Sequence, residues 1–140
     1  MNTGRTVRGG DTAPRDGEHW ADYPGWVREL PEADVRFPGA RGHLVGGMHG
    51  QVVLWSFPDG GTVLSHAHGP QLGFVIAGQV DLETPDGVVS YHSGGCFSLA
   101  RDEPHGAVIH PRSLVVEVFQ EHDRHSARPS GNPRPGTGDA

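Results

Sequence analysis

Turns recur so often along this chain that a long helix has nowhere to form. Glycine, proline and aspartate cluster in "FPGARG", "GGMHG", "FPDGGT", "AHGP", "TPDG", "HSGG", "RDEP" and "HPR". Between these breaks lie short segments: His43–Val45, Gln51–Phe57, Thr62–His66, Gln71–Ala77, Val80–Glu83, Val88–Tyr91, Cys96–Leu99, Gly106–Ile109 and Leu114–Phe119. Most are rich in β-branched and aromatic residues, and strands at this spacing predict an all-β sandwich or barrel. The clearest hairpin is "VDLETPDGVVSY", with Asp86-Gly87 at its turn. Trp26–Glu32 offers at most one helical turn.

The ends read differently. Residues 1–18 and 122–140 are polar and rich in Gly, Pro and Arg, which predicts two disordered tails around one domain at 19–121. The domain opens on an aromatic arm, "HWADYPGWV", whose Trp20, Tyr23 and Trp26 suit a cover for a sheet edge or the cavity, or a dimer contact, the favoured reading. A net charge of -6 gives no reason to expect nucleic acid or an anionic membrane as partner. The one cysteine, Cys96, excludes an internal disulfide and suits a reducing compartment. No apolar run approaches the ~18–20 residues of a membrane span. The N-terminus has no secretory signal pattern, so a cytoplasmic protein is expected.

"HAHGPQLG" carries the chemistry. On an extended strand residues i and i+2 share a face, so Leu64, His66 and His68 would project together. On the next strand Gln71, Gly73 and Val75 would share a face, and the missing side chain of Gly73 would leave room beside the histidines. His105 follows a later turn as a third imidazole. Three imidazoles and a carboxamide oxygen would leave positions open on a divalent transition metal such as Zn, Fe, Ni or Mn.

These residues resemble the two motifs of the cupins, small jelly-roll β-barrels or sandwiches. Gly60, His66, His68, Gln71 and Gly78 match the first motif; Gly94 and His105 match the second. Gln71 replaces the usual glutamate, Gly95 a common aspartate, Ala100 the proline, Asp102 the glycine and Ile109 the asparagine. The shorter HxHxxQxG form also occurs in small bacterial single-domain cupins. The resemblance implies a jelly roll and a metal held by His66, His68, Gln71 and His105, with Gln71 either a direct ligand or a support behind the ligands. Neutral donors would leave the ion its full charge, a stronger Lewis acid than with glutamate. The implied function is isomerisation, cyclisation or lyase chemistry on a small oxygenated, aromatic or polyketide-like substrate. A metal-dependent dioxygenase and a non-catalytic small-molecule-binding cupin are the rivals.

Other residues are placed by strand alternation. Trp55, Gly73, Val75, Phe97 and Leu99 are the cavity candidates. Glu117 in "LVVEVF" belongs on the outer sheet face if Leu114, Val116 and Val118 point inward; in the opposite register it is an inward general base. His92 and His110 read as turn residues able to approach the mouth as proton carriers, Cys96 as packing, and His19, His43, His49, His122 and His125 as solvated.

Overall fold

The structure, a computed structural model, describes residues 23–129. One helical turn, α1 (Gly25–Arg28), precedes nine strands. These are β1 (Arg41–Gly47), β2 (Gly50–Phe57), β3 (Gly61–His66), β4 (Gln71–Ala77), β5 (Gln79–Thr84), β6 (Gly87–His92), β7 (Cys96–Leu99), β8 (His105–Ile109) and β9 (Ser113–Phe119). They form a five-stranded sheet in the order β1-β2-β9-β4-β7 and a four-stranded sheet in the order β3-β8-β5-β6, all neighbours antiparallel. Apart from the hairpins β1–β2 and β5–β6, successive strands cross between the sheets, as in a jelly roll. Among the described residues no ladder joins the two sheets, so the architecture is a sandwich rather than a closed barrel.

Alternation decides what faces the core. On β4, Gln71, Gly73 and Val75 are buried while Leu72, Phe74 and Ile76 are exposed. Cross-strand register then fixes the neighbours: Gly73 lies opposite Glu117, and Val75 opposite Val115. The core between the sheets is built from Val53, Trp55, Phe57, Val75, Val115 and Phe119 on one side and Val80 and Ile109 on the other. Gly78, the last glycine of the first motif, turns the chain at φ 83°, and a Cβ there would strike Ser113. Asp102, standing where the cupin motif has glycine, keeps the same left-handed turn at φ 61°, which aspartate tolerates better than most residues.

The structure bears on two expectations about the ends. Tyr23 is buried with Val27 and Leu114, and its hydroxyl donates to the carbonyls of Trp55 (2.9 Å) and Val115 (3.3 Å). Tyr23 therefore packs on the five-stranded sheet, while Trp26 is 66% exposed. Residues 122–129 pack on the sandwich instead of forming part of a tail. The Gln51 amide grips the backbone of His125 in both directions, donating to its carbonyl (2.9 Å) and accepting from its N–H (2.9 Å). A bridge between Ala33 and Ala127 and the bond from the Asp34 N–H to the Ser126 carbonyl (2.8 Å) extend the hold. Side chain-to-backbone bonds leave no composition signal, so by composition the segment resembles a tail. Residues 1–22 and 130–140, with Trp20 and His19, lie outside the described residues. No described helix is long and apolar enough to cross a membrane.

Candidate metal centre

His66, His68 and His105 converge between the sheets, with their ligand atoms within 4.8 Å of one another. Their ring centroids are 4.4 Å (His66–His105), 4.8 Å (His68–His105) and 5.1 Å (His66–His68) apart. His66 ends β3 and pairs in register with His105, the first residue of β8. The convergence does not come from simple i, i+2 alternation. The β3–β8 register shifts between Val63 and His66, so Val63 and His66 both line the cavity while Leu64 is 80% exposed. An irregularity of this kind changes which face a following residue takes. His68 lies beyond the end of β3, in the connection to β4. Its loop is tied to the one before His105 by the Asp102 N–H, which donates to the His68 carbonyl at 2.8 Å.

All three rings are locked in the same way. Nδ1 meets a backbone carbonyl in each: Leu64 for His66 (2.9 Å), Gly69 for His68 (2.8 Å) and Glu103 for His105 (2.9 Å). A carbonyl only accepts, so each Nδ1 carries the hydrogen and each neutral ring keeps its lone pair on Nε2. Burial lowers the pKa of His68 and of His105, favouring the neutral form a metal requires. Three neutral imidazoles held by outer hydrogen bonds are a donor set that fits a divalent transition ion.

Gln71 stands at the start of β4, and its Nε2 donates to Glu117 Oε2 at 2.9 Å. A carboxylate only accepts here, so the amide nitrogen is committed and Oε1 is the atom left for a metal or a substrate. Glu117 Oε1 accepts from Trp55 Nε1 at 2.7 Å. Glu117 thus faces the cavity and not the outer sheet face: Val115, Glu117 and Phe119 point inward. Burial pushes its carboxyl pKa up, opposed by the Trp55 and Gln71 hydrogen bonds and the charge of Arg124. The carboxyl group that Gln71 lacks is therefore present behind the amide, on Glu117.

The cavity measures about 190 Å³ and is walled largely by apolar side chains, among them Phe37, Trp55, Phe57, Phe97 and Ile109. Val75 and Leu99 are buried in the core and do not line it. Gly73 does not open it either. A Cβ on Gly73 would overlap the Phe97 ring, coming 2.6 Å from Cε1 and 2.7 Å from Cε2. The room left by this glycine belongs to Phe97. Gly73→Ala is accordingly expected to cost ~1–3 kcal/mol through overpacking, and Phe97→Leu in the same chain to recover part of it; chemical denaturation of the single and double variants measures both.

His92 is exposed at the end of β6, and His110 is tied to Asp81 at 2.8 Å; neither lines the cavity. His43, expected in solvent, is buried at 4% exposure, with Nδ1 3.3 Å from the Leu30 carbonyl. Arg124 and His125, expected in a tail, do line the cavity. His125 packs edge-on against Trp55 (5.3 Å) and Phe119 (5.6 Å). Burial and the neighbouring positive charges lower its pKa from 6.5 to about 4. The unfolded chain thus takes up a proton near pH 6.5 that the folded chain refuses until about pH 4. Stability held by His125 is full above this window and is lost as the pH falls through it. His125→Phe, which keeps an aromatic ring there, is expected to flatten the fall in melting temperature between pH 6.5 and 4 relative to wild type.

No protein-family model and no curated protein matches the chain. Solved structures do. KdgF from Halomonas sp. is similar over 69% of this chain and 91% of its own, at 27% identity and a TM-score of 0.61. An RmlC-like cupin from Shewanella frigidimarina aligns over 69% of this chain and 88% of its own, at 21% identity and a TM-score of 0.59. The polyketide cyclase RemF from Streptomyces resistomycificus aligns over 82% of this chain and 90% of its own, at 19% identity and a TM-score of 0.56. With the two-sheet jelly roll, these likenesses show that the chain has a cupin fold, in which three histidines cluster.

Proposed function

We propose that this cupin-fold protein is a metal-dependent enzyme performing redox-neutral acid–base chemistry (isomerisation, cyclisation or elimination) on a compact oxygenated metabolite. One observation carries the reading: three Nδ1-locked imidazoles and a half-buried, doubly hydrogen-bonded carboxylate share one cavity. His66, His68 and His105 would hold the ion through Nε2, with Gln71 Oε1 as a fourth donor. A divalent zinc, iron, nickel or manganese ion there supplies Lewis acidity toward a substrate oxygen.

The chain's own residues supply the rest. Glu117 takes or returns a proton at its carboxylate, and its raised pKa brings it nearer the working range of a general acid or base. Trp55 and Gln71 fix that carboxylate by donating to its two oxygens. The apolar walls exclude water and strengthen polar interactions inside. At about 190 Å³ the cavity falls below the roughly 300–1,000 Å³ typical of drug-sized ligands. A single ring or a short chain suits it better than a multi-ring polyketide, although RemF shares the fold. KdgF and oxalate decarboxylase share it too, and fold alone does not choose among chemistries.

The test is metal analysis of protein made without a His-tag, followed by turnover of small hydroxy and keto compounds while oxygen is monitored. Stoichiometric metal with turnover and no oxygen uptake supports the proposal. Oxygen consumption points to a dioxygenase instead, and ligand binding without turnover to a binding module.

The reading includes a homodimer. Leu72, Phe74 and Ile76 are each 37–44% exposed on the outer face of β4, beside the outward Val116 and Val118 of β9. Phe74→Glu is expected to yield a monomer in sedimentation equilibrium with its histidine cluster intact; an unchanged oligomeric state removes this face from the assembly.

A further inference from the structure

Polar groups at the cavity are almost all accounted for. The three ligand histidines give Nδ1 to carbonyls, and Trp55 and Gln71 give their N–H groups to Glu117. Arg124 differs. It lines the cavity, its Nε is buried without an acceptor, and no hydrogen bond or ion pair to it is found among the described residues. Its guanidinium carbon lies 5.7 Å from the centre of the Phe119 ring, so the planar group rests on an aromatic face. Glu117 feels the charge of Arg124 but makes no hydrogen bond or ion pair with it; its two oxygens are bonded to Trp55 and Gln71.

Arg124 is also held in place. The adjacent residue, His125, is clamped through its backbone by the Gln51 side chain, and its ring packs on Trp55 and Phe119. The Nε of Arg124, buried without a partner beside an apolar cavity, carries a desolvation cost that an anionic ligand would offset. Among the described lining residues it is the one arginine, and there is no lysine. One planar fork suits one carboxylate, which it binds through two parallel N–H···O bonds. A phosphate dianion would want more cationic or backbone donors than this wall provides.

We infer that Arg124 is the carboxylate-binding residue of the cavity, and that its ligand is a small monocarboxylate with its anion on the guanidinium and its body between the sheets. The inference deepens the proposed function by naming the substrate class, and it rests on that reading only for the catalytic outcome. Binding of the anion itself requires no metal. Residues 122–129 thereby carry the specificity determinant for a site whose other parts come from the strands, the β3–β4 connection and the segment before β1.

The probe pair is benzoate and its neutral isostere benzamide, titrated calorimetrically into the full chain, both zinc-free and zinc-loaded. The zinc-free wild type is expected to prefer benzoate by about ten- to a hundred-fold, as charge-assisted hydrogen bonds allow. Arg124→Gln should bind the two alike, and Arg124→Lys should keep the charge but lose several-fold of the preference with the bidentate fork. No preference in wild type, or an undiminished one in Arg124→Gln, overturns the inference. If Arg124→Gln does not fold, the wild-type and Arg124→Lys titrations decide, an unchanged preference in the lysine variant being the overturning result. Zinc stoichiometry read on the same samples separates the two readings. Zinc bound without benzoate preference removes Arg124 alone, whereas benzoate preference without zinc binding removes the metal centre alone.

Discussion

Alanine at any one of His66, His68 and His105 is expected to abolish stoichiometric zinc binding while the β-sandwich persists. Each imidazole is one of three neutral nitrogen donors, and each is aimed by its own carbonyl lock. Removing a supporting hydrogen bond alone typically costs about 10–100-fold in metal affinity. Removing a ligand should cost more, and two histidines with an amide oxygen make a poor competitor for zinc. The fold should survive because its ladders and core do not pass through the ion, unlike the small domains that depend on a structural metal. Elemental analysis gives the stoichiometry and circular dichroism the strand content. His110→Ala serves as the control: it loses only the contact with Asp81 and should keep its zinc. Full zinc content in any two of the three alanine variants would remove the assignment.

What the sequence discloses here depends on which physical signal each residue carries. Turn chemistry is local, so the segments Gln71–Ala77 and Cys96–Leu99 read from it coincide with β4 and β7. The spacing of His66, His68 and Gln71 is also local, and motif spacing reaches His105. Facing direction is not local. The register irregularity between Val63 and His66 turns His66 away from the face of Leu64, and no residue in "TVLSH" announces it. Glu117 escapes the pattern for a different reason. Alternation identifies a core face only when the other face is polar, and here the outer face carries Leu72, Phe74, Val116 and Val118 as well. With apolar residues on both sides of β9, the pattern favours an outward carboxylate, and the carboxylate lies inward. Gly73 shows the same limit in packing: a missing side chain marks space, but only the fold shows that Phe97 fills it.

Glu117→Gln is expected to keep zinc and the cavity and to lose about 10²–10⁴-fold of turnover, the range that positioned acid–base groups contribute. The exchange is nearly isosteric, and Trp55 Nε1 can still donate to the side-chain oxygen of the new residue. What disappears is the proton-carrying carboxylate. A convenient readout is exchange of carbon-bound hydrogen for deuterium next to the carbonyl of small keto acids, followed by NMR in D2O. It reports proton removal even where no net product forms. A merely structural Glu117 predicts the opposite pairing, with lost stability and little specific loss of exchange. The pKa shift separates these alternatives further. Burial makes the folded protein hold the Glu117 proton more tightly than the unfolded chain does. The stability that this provides is present below the ordinary carboxylate pKa and is lost as the pH rises through the elevated one. Above that elevated pKa the ionised group therefore weighs against folding, and there metal-free Glu117→Gln should melt no lower than metal-free wild type. A variant that folds well, holds zinc and no longer moves the proton marks Glu117 as the base. A variant that exchanges hydrogen at the wild-type rate places that base elsewhere in the cavity.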